Sequence, residues 1–343
     1  MKGTGICMCL VLCFVVPVCA QTTWRQTTRE LIVSNPSFEA CHASTIVELP
    51  GGQLMAAWFG GSNEGNPDVE IWISRLTSGS WSKPVAVANG KMNDSLRYPT
   101  WNPVLFRDRH GILHLFYKVG PNPREWWGMI ISSGDNGNSW SAPQRLPDGI
   151  LGPIRNKPLQ LDDGTILAPS STETENRWRA HIERSTDDGK TWNFIPVDTA
   201  GSFDVIQPSI LKYDDGRMQA LCRSKQGYVM QSWSADEGKT WSRLSPTTLV
   251  NPNSGVDAAS LNNGGQLIVY NPDVPGKEWY NGRSKLRVAF STDGKAWKDV
   301  GILEDENRGE FSYPAVIQTS DNKIHITYTY DRRNIKHVVL ERR

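Results

Sequence analysis

The sequence predicts an all-β fold, a six-bladed β-propeller. Two observations carry that expectation. A short turn motif recurs at a near-constant interval, and the stretches between its copies break into short, turn-bounded runs of β-branched and aromatic residues. The full copies read Ser133-Gly-Asp135-Asn-Gly137-Asn-Ser139-Trp140, Ser185-Thr-Asp187-Asp-Gly189-Lys-Thr191-Trp192 and Ser234-Ala-Asp236-Glu-Gly238-Lys-Thr240-Trp241. A copy one residue shorter follows, Ser291-Thr-Asp293-Gly294-Lys-Ala-Trp297, and a fainter one, Ser78-Gly79-Ser80-Trp81, precedes them. The closing tryptophans at 81, 140, 192, 241 and 297 set a period of roughly 50 residues, close to the spacing of propeller blades.

The motif has a physical meaning. In Asp-x-Gly the aspartate accepts bonds from backbone N–H groups just ahead, and glycine takes the left-handed conformation that the turn needs. The tryptophan then anchors the hairpin by burying a large ring between neighbouring sheets. A single reaction centre has no use for the same aspartate in every blade, so Asp135, Asp187, Asp236 and Asp293 are read as turn residues.

The blades follow in order. The first spans residues 44–88 around Pro50-Gly51-Gly52. The second has runs at 101–106, 112–117 and 129–132, the third at 157–161, 165–168, 178–184 and 193–197. The fourth has runs at 207–213, 218–222 and 228–233, the fifth at 256–261, 266–270 and 286–290. These short, β-branched stretches read as strands of four-stranded sheets. The last unit, 313–340, shows three strands and no hairpin motif, so its fourth strand is assigned to residues 29–33 near the start of the mature chain. Joining the two ends of the chain in one sheet removes an exposed edge.

Bulk properties narrow the function. The chain has 343 residues and a formal net charge of +1 without a long basic run, which argues against nucleic acid as a partner. Residues 1–20 read as a secretory signal: Lys2, an apolar stretch over 6–18, and the small-residue site Val18-Cys19-Ala20. The expected mature protein is then one secreted propeller domain over 21–343. No segment reads as a membrane span. Four of the six cysteines fall in the signal, and the remaining Cys41 and Cys222 either pair or stand as buried thiols. Asn93-Asp94-Ser95 is a glycosylation sequon in a polar loop. Of the fourteen tryptophans, Trp101, Trp126, Trp127, Trp178 and Trp279 are not hairpin anchors and serve either blade packing or sugar stacking. No metal site and no cofactor are expected, because no residue cluster has ligand spacing.

The hairpin motif on a six-blade plan resembles the Asp boxes of the sialidase superfamily, most strongly the BNR-repeat predicted neuraminidases. Asn156-Lys-Pro-Leu-Gln-Leu-Asp-Asp-Gly164, Asn251-Pro-Asn-Ser254 and Phe311-Ser-Tyr-Pro314 share that family's look. The resemblance implies a glycosidase in which arginines hold a substrate carboxylate, a Tyr paired with a Glu is the nucleophile, and an Asp is the acid/base. Arg223 and Arg283 match the second and third arginines, and Tyr313 matches the nucleophile. Three positions depart from the pattern. Cys41-His42-Ala43 stands where the first arginine is expected, Gln207 stands where the Glu is expected, and the acid/base position falls in a first-blade loop that offers Glu64 or Asp68.

The departures carry chemistry. Gln207 cannot take a proton from Tyr313, and a phenol with pKa near 10 is a poor nucleophile at neutral pH without a base or a strong positive field. His42, or Glu173 or Glu175 in the loop after 167–170, is a possible base. The favoured reading is an exo-glycosidase that releases a terminal acidic sugar from an anionic glycan, with Tyr313 as nucleophile and Glu64 or Asp68 as proton donor. The alternatives are a polysaccharide lyase or uronate-specific hydrolase, with His42 and Tyr313 as base and acid, and a glycan-binding propeller without catalysis.

Overall fold

The computed structural model describes residues 23–278 and 280–343. The signal assignment over 1–20, and Trp279, lie outside the described residues. Among those described, no helix is long and apolar enough to cross a membrane. The fold is the expected ring of six antiparallel sheets. Blade 1 runs Ala40–Leu49, Gln53–Gly61 and Glu70–Thr77, and its outer strand is split into Ser80–Trp81 and Val85–Ala88, both paired to Glu70–Thr77. Blades 2 to 5 start on their inner strands at Thr100–Arg107, Leu159–Gln160, Val205–Lys212 and Asp257–Ser260. Blade 6 is Phe311–Gln318, Ile324–Tyr330 and Asn334–Arg342, closed by Trp24–Leu31.

The closing strand therefore lies earlier than residues 29–33. Ile32 N–H still donates to Ile335 O at 2.8 Å, but at Val33 the Asn334 side chain takes over both backbone groups and ends the ladder, and the two side chains are buried with Phe38, Cys41 and Trp58 between blades 6 and 1. Side chains also tie this strand down. His337 Nδ1 bonds Glu30 at 2.9 Å, His325 Nδ1 bonds His337 Nε2 at 3.0 Å, and the Arg29 guanidinium meets Glu304 of blade 5 at 2.5 Å.

The repeated hairpins behave as the motif predicts. In the three full copies the aspartate accepts a backbone N–H at 2.9 Å from the Ser or Thr four residues on, and the leading serine accepts from the glycine N–H at 2.6 to 3.0 Å. The hydroxyls of Ser139 and Thr191, which donate to Asp135 and Asp187 at 2.6 and 2.7 Å, and then those backbone N–H groups, hold the two aspartates well below the usual carboxylate range. Each hairpin rests on the preceding blade. Trp140 packs on the core shared by blades 1 and 2, Trp192 on that of 2 and 3, Trp241 on 3 and 4, and Trp297 on 4 and 5. Cys41 and Cys222 are free and buried in separate cores, which settles the alternative against a disulfide. Trp101 and Trp126 are likewise core residues, packed with Ile154.

The inner strands share a second repeat that the sequence motifs do not announce. Ala43, Asn102, Gln207 and Tyr313 all adopt positive φ, between 43° and 55°, where the first two strands of their blades slip register. Arg155 does the same at φ 72°, ahead of the short inner strand of blade 3. Such conformations cost a non-glycine residue roughly 1–3 kcal/mol and recur at functional sites. Below this level the axis is plugged. Lys157 donates to both Asp257 oxygens at 3.0 and 2.8 Å, and Asp257 also accepts from Ser209 and from the Val316 N–H, each at 2.8 Å. Lys157 thus serves the scaffold, linking blade 3 to blades 5, 4 and 6.

Candidate active site

Above the plug, the ends of the inner strands and their loops enclose a cavity of about 590 Å³. Tyr313, Arg223, Arg283 and Glu64 all line it, so four of the residues picked from sequence meet in one place. Trp178, Lys225, Asn253 and Arg332 join them.

Tyr313 is the centre. Its left-handed backbone ends the regular part of the inner strand of blade 6, and its Oη accepts a 2.5 Å bond from Arg223 Nη1. The guanidinium carbons of Arg155, Arg223 and Arg283 lie 5.2, 5.5 and 5.6 Å from its ring centre, so three cations surround one phenol. Arg223 is oriented by Asn253, whose Oδ1 accepts from Nε at 3.0 Å, and more weakly by Gln207 Oε1 at 3.4 Å. Gln207 is therefore inside the site, buried, and bonded to the arginine rather than to the tyrosine.

Arg283 and Arg332 are organised by one carboxylate. Glu310 accepts from Arg283 Nη1 at 3.0 Å, from Arg332 Nε at 2.6 Å and from Ser312 Oγ at 2.8 Å. Burial alone would raise Glu310, but Arg332 and Arg283 outweigh it and hold the group ionised below the usual range. Arg332 also pairs with Glu64, so the first-blade loop is latched to blade 6 across the cavity mouth.

His42 is not in this cavity. Its ring lies behind Tyr313, with centroids 4.1 Å apart, and Nδ1 meets Thr329 Oγ1 at 2.8 Å. It is pushed well below the ordinary imidazole range, first by burial and then by Arg332, Arg283, Arg155 and Arg223. A neutral imidazole surrounded by four cations makes a weak base, and no face of it borders the substrate space. Asp68 is also placed elsewhere. Its carboxylate accepts from Ser62 N and Ser62 Oγ, both at 2.8 Å, which folds the loop on itself in solvent. Glu175 is exposed and pairs with Arg124 at 3.3 Å.

Two arginines escaped the sequence reading. Arg155 is almost fully buried beneath Tyr313, donating to the carbonyls of Ser44 and Pro314, and burial lowers its pKa to about 10. It directly precedes the Asn156-Lys157-Pro158 segment, and only the left-handed register of the inner strands, visible in the fold, marks it. Arg332 lies in the Gly-free turn Asp331-Arg332-Arg333, with φ 52°, and nothing in the motif register points to it. It lines both the main cavity and the small recess that holds His42, so it stands beside the position of the missing first arginine.

The comparisons with known proteins agree with this architecture. Residues 52–326 match the family described as BNR repeat-like domain. The chain belongs to that family, within the sialidase superfamily. This BNR-repeat propeller is 23% identical over 274 residues to an exo-alpha-sialidase of Aspergillus fumigatus, covering 72% of the chain and 62% of that relative's length. Its fold is shared with a Dyadobacter fermentans protein of unknown function, at TM-score 0.76, 18% identity and coverage of 93% and 99%. It is shared too with the NanB sialidase of Streptococcus pneumoniae, at TM-score 0.71, 13% identity and coverage of 91% and 70%.

Proposed function

We propose that the protein is an exo-acting glycosidase of sialidase type, which releases a terminal acidic sugar from a glycan. The observation that carries this reading is Tyr313, with its oxygen on Arg223, in a cavity walled by Arg223, Arg283 and Arg332. Two or three converging guanidiniums recognise a carboxylate, each charged hydrogen bond contributing about 1.5–3 kcal/mol. A sialic-acid-type sugar carries its carboxylate on the anomeric carbon, so a clamp on the carboxylate also sets the reacting carbon against Tyr313. Gln207 leaves the nucleophile without an anionic partner. The positive charge around the ring supplies the compensating field, stabilising negative charge carried into the transition state. The relationship to an exo-alpha-sialidase supports the same substrate class, and the apolar N-terminal segment supports an extracellular setting.

Lyase chemistry needs a base on the substrate side, and His42 lies behind the tyrosine. The test presents the protein with a sialoside and, separately, with uronate-containing oligosaccharides. Free acidic sugar from the sialoside is the expected result. An unsaturated uronate, seen in the ultraviolet, would overturn the reading in favour of the lyase. Sialoside binding without turnover would overturn it in favour of a lectin.

A further inference from the structure

The loop acids offer no clear proton donor: Glu64 is tied to Arg332, and Asp68 is folded onto Ser62. Two other carboxyls border the site: Glu278, exposed in the loop that follows Pro275 and lining the main cavity, and Glu173, beside Trp178 at its edge. Glu173 ends the strand Ile166–Glu173, and its partner across the hairpin is Trp178, the first residue of Trp178–Ser185. Directly opposed residues project from the same face of a sheet with Cβ atoms about 4.5–5.5 Å apart. Trp178 lines the main cavity, where its ring lies 5.4 Å from the Arg223 guanidinium. Glu173 lines a second cavity of about 260 Å³, walled by Trp126 and Trp127 and edged by Arg124 and Arg145. The Glu173–Trp178 pair is thus the partition between the two spaces.

Resting on the glycosidase reading, we propose that Glu173 is the proton donor to the leaving glycan, and that the second cavity is the subsite for the sugar ring that departs. The subsite suits a neutral pyranose. Its cations are already matched, Arg145 with Asp148 at 3.4 Å and Arg124 with Glu175 at 3.3 Å, and its wall is aromatic. Its volume lies below the roughly 300–1,000 Å³ of drug-sized pockets, which fits one ring rather than a chain. Glu173 has no hydrogen-bond or ion-pair partner among the described residues, and burial raises its pKa against the opposing pull of Arg223, Lys225 and Arg124. A carboxyl whose neutral form is favoured by burial, standing at the partition between the two cavities, suits a general acid.

The step balances. The glycosidic C–O bond breaks with its electron pair going to the leaving oxygen, which takes the proton of Glu173. The anomeric carbon takes Tyr313 Oη, whose proton passes to cavity water. Attack by a second water, with Glu173 now as base taking its proton, breaks the C–O bond to Tyr313 and releases the acidic sugar; the departing phenolate takes back the proton held by the cavity water, so both residues are restored.

Glu173→Gln separates the possibilities when assayed on a sialyl disaccharide and on an aryl sialoside whose phenolate leaves without protonation. The expected result is a fall in kcat/KM of about 10²–10⁴ on the disaccharide. On the aryl substrate the fall should stay below about tenfold, and the alkaline limb of the pH profile should disappear. Trp127→Ala should raise KM for the disaccharide alone. Equal losses on both substrates, or no loss on the disaccharide, would overturn the proposal while wild-type turnover keeps the glycosidase reading. A wild type inert on both substrates would overturn that reading itself, and the donor role with it.

Discussion

The rim and the axis of this propeller use the same backbone device for opposite ends. At the rim, each hairpin turns through a left-handed glycine, as at Gly137, Gly189, Gly238 and Gly294, preceded in the three full copies by a left-handed Asn136, Asp188 or Glu237, and the side chains around it bond locally and repeat from blade to blade. At the axis, the left-handed positions carry Ala43, Asn102, Arg155, Gln207 and Tyr313, which differ from blade to blade. The rim repeats because every blade must rest on its neighbour in the same way. The axis does not, because the inner strands converge on one space, and each can contribute a different side chain. The left-handed turn at the rim serves closure, whereas a left-handed tyrosine or arginine at the axis serves the site.

The contrast can be broken most sharply at Tyr313. Tyr313→Phe should lower kcat on a sialoside by about 10³-fold or more while circular dichroism and melting temperature stay near wild type, since only the oxygen is removed. Next in size, Arg223→Met should weaken binding of an acidic sugar by about 10- to 100-fold, the equivalent of one charged hydrogen bond, as read by calorimetry with the free sugar. A rim substitution should do the reverse. Gly238→Ala forces a Cβ onto φ 76° and within 2.9 Å of Leu167, so it should cost about 1–2 kcal/mol of stability and leave kcat/KM of the folded enzyme unchanged.

The smallest expected effect concerns the closing strand. His325 has its pKa lowered to about 4, by burial and then by His337, and His337 is lowered as well. The unfolded chain therefore binds more protons than the folded one between the unfolded histidine value near 6.5 and about 4. The stability held at neutral pH should be lost as pH falls through that window. His325→Gln should flatten the dependence of melting temperature on pH over the same range, and an unchanged slope would remove this pair from the account.

The rim was legible in the sequence because its physics is local. Asp187 bonds Thr191 four residues away, and Trp192 closes the same turn, so the pattern survives in one dimension. The axis was legible only where a residue sits at a fixed offset from that register, as Arg223, Arg283 and Tyr313 do. Arg155 and Arg332 reach the site through left-handed turns without glycine, and their partners lie far along the chain, Pro314 for one and Glu64 for the other. His42 looked like a base because its residue type allows it. Burial behind Tyr313 and four nearby guanidiniums, all tertiary facts, place it outside the substrate space.

The central claim is that Tyr313 forms the bond to the anomeric carbon in a cationic site. A fluorinated acidic sugar with a fluoride leaving group, designed to slow release of the intermediate, tests it by peptide mass spectrometry. The account predicts one added sugar on the peptide that contains Tyr313, and none in Tyr313→Phe. An adduct on a carboxylate such as Glu64 or Glu173, or turnover of a sialoside by Tyr313→Phe at the wild-type rate, would contradict it.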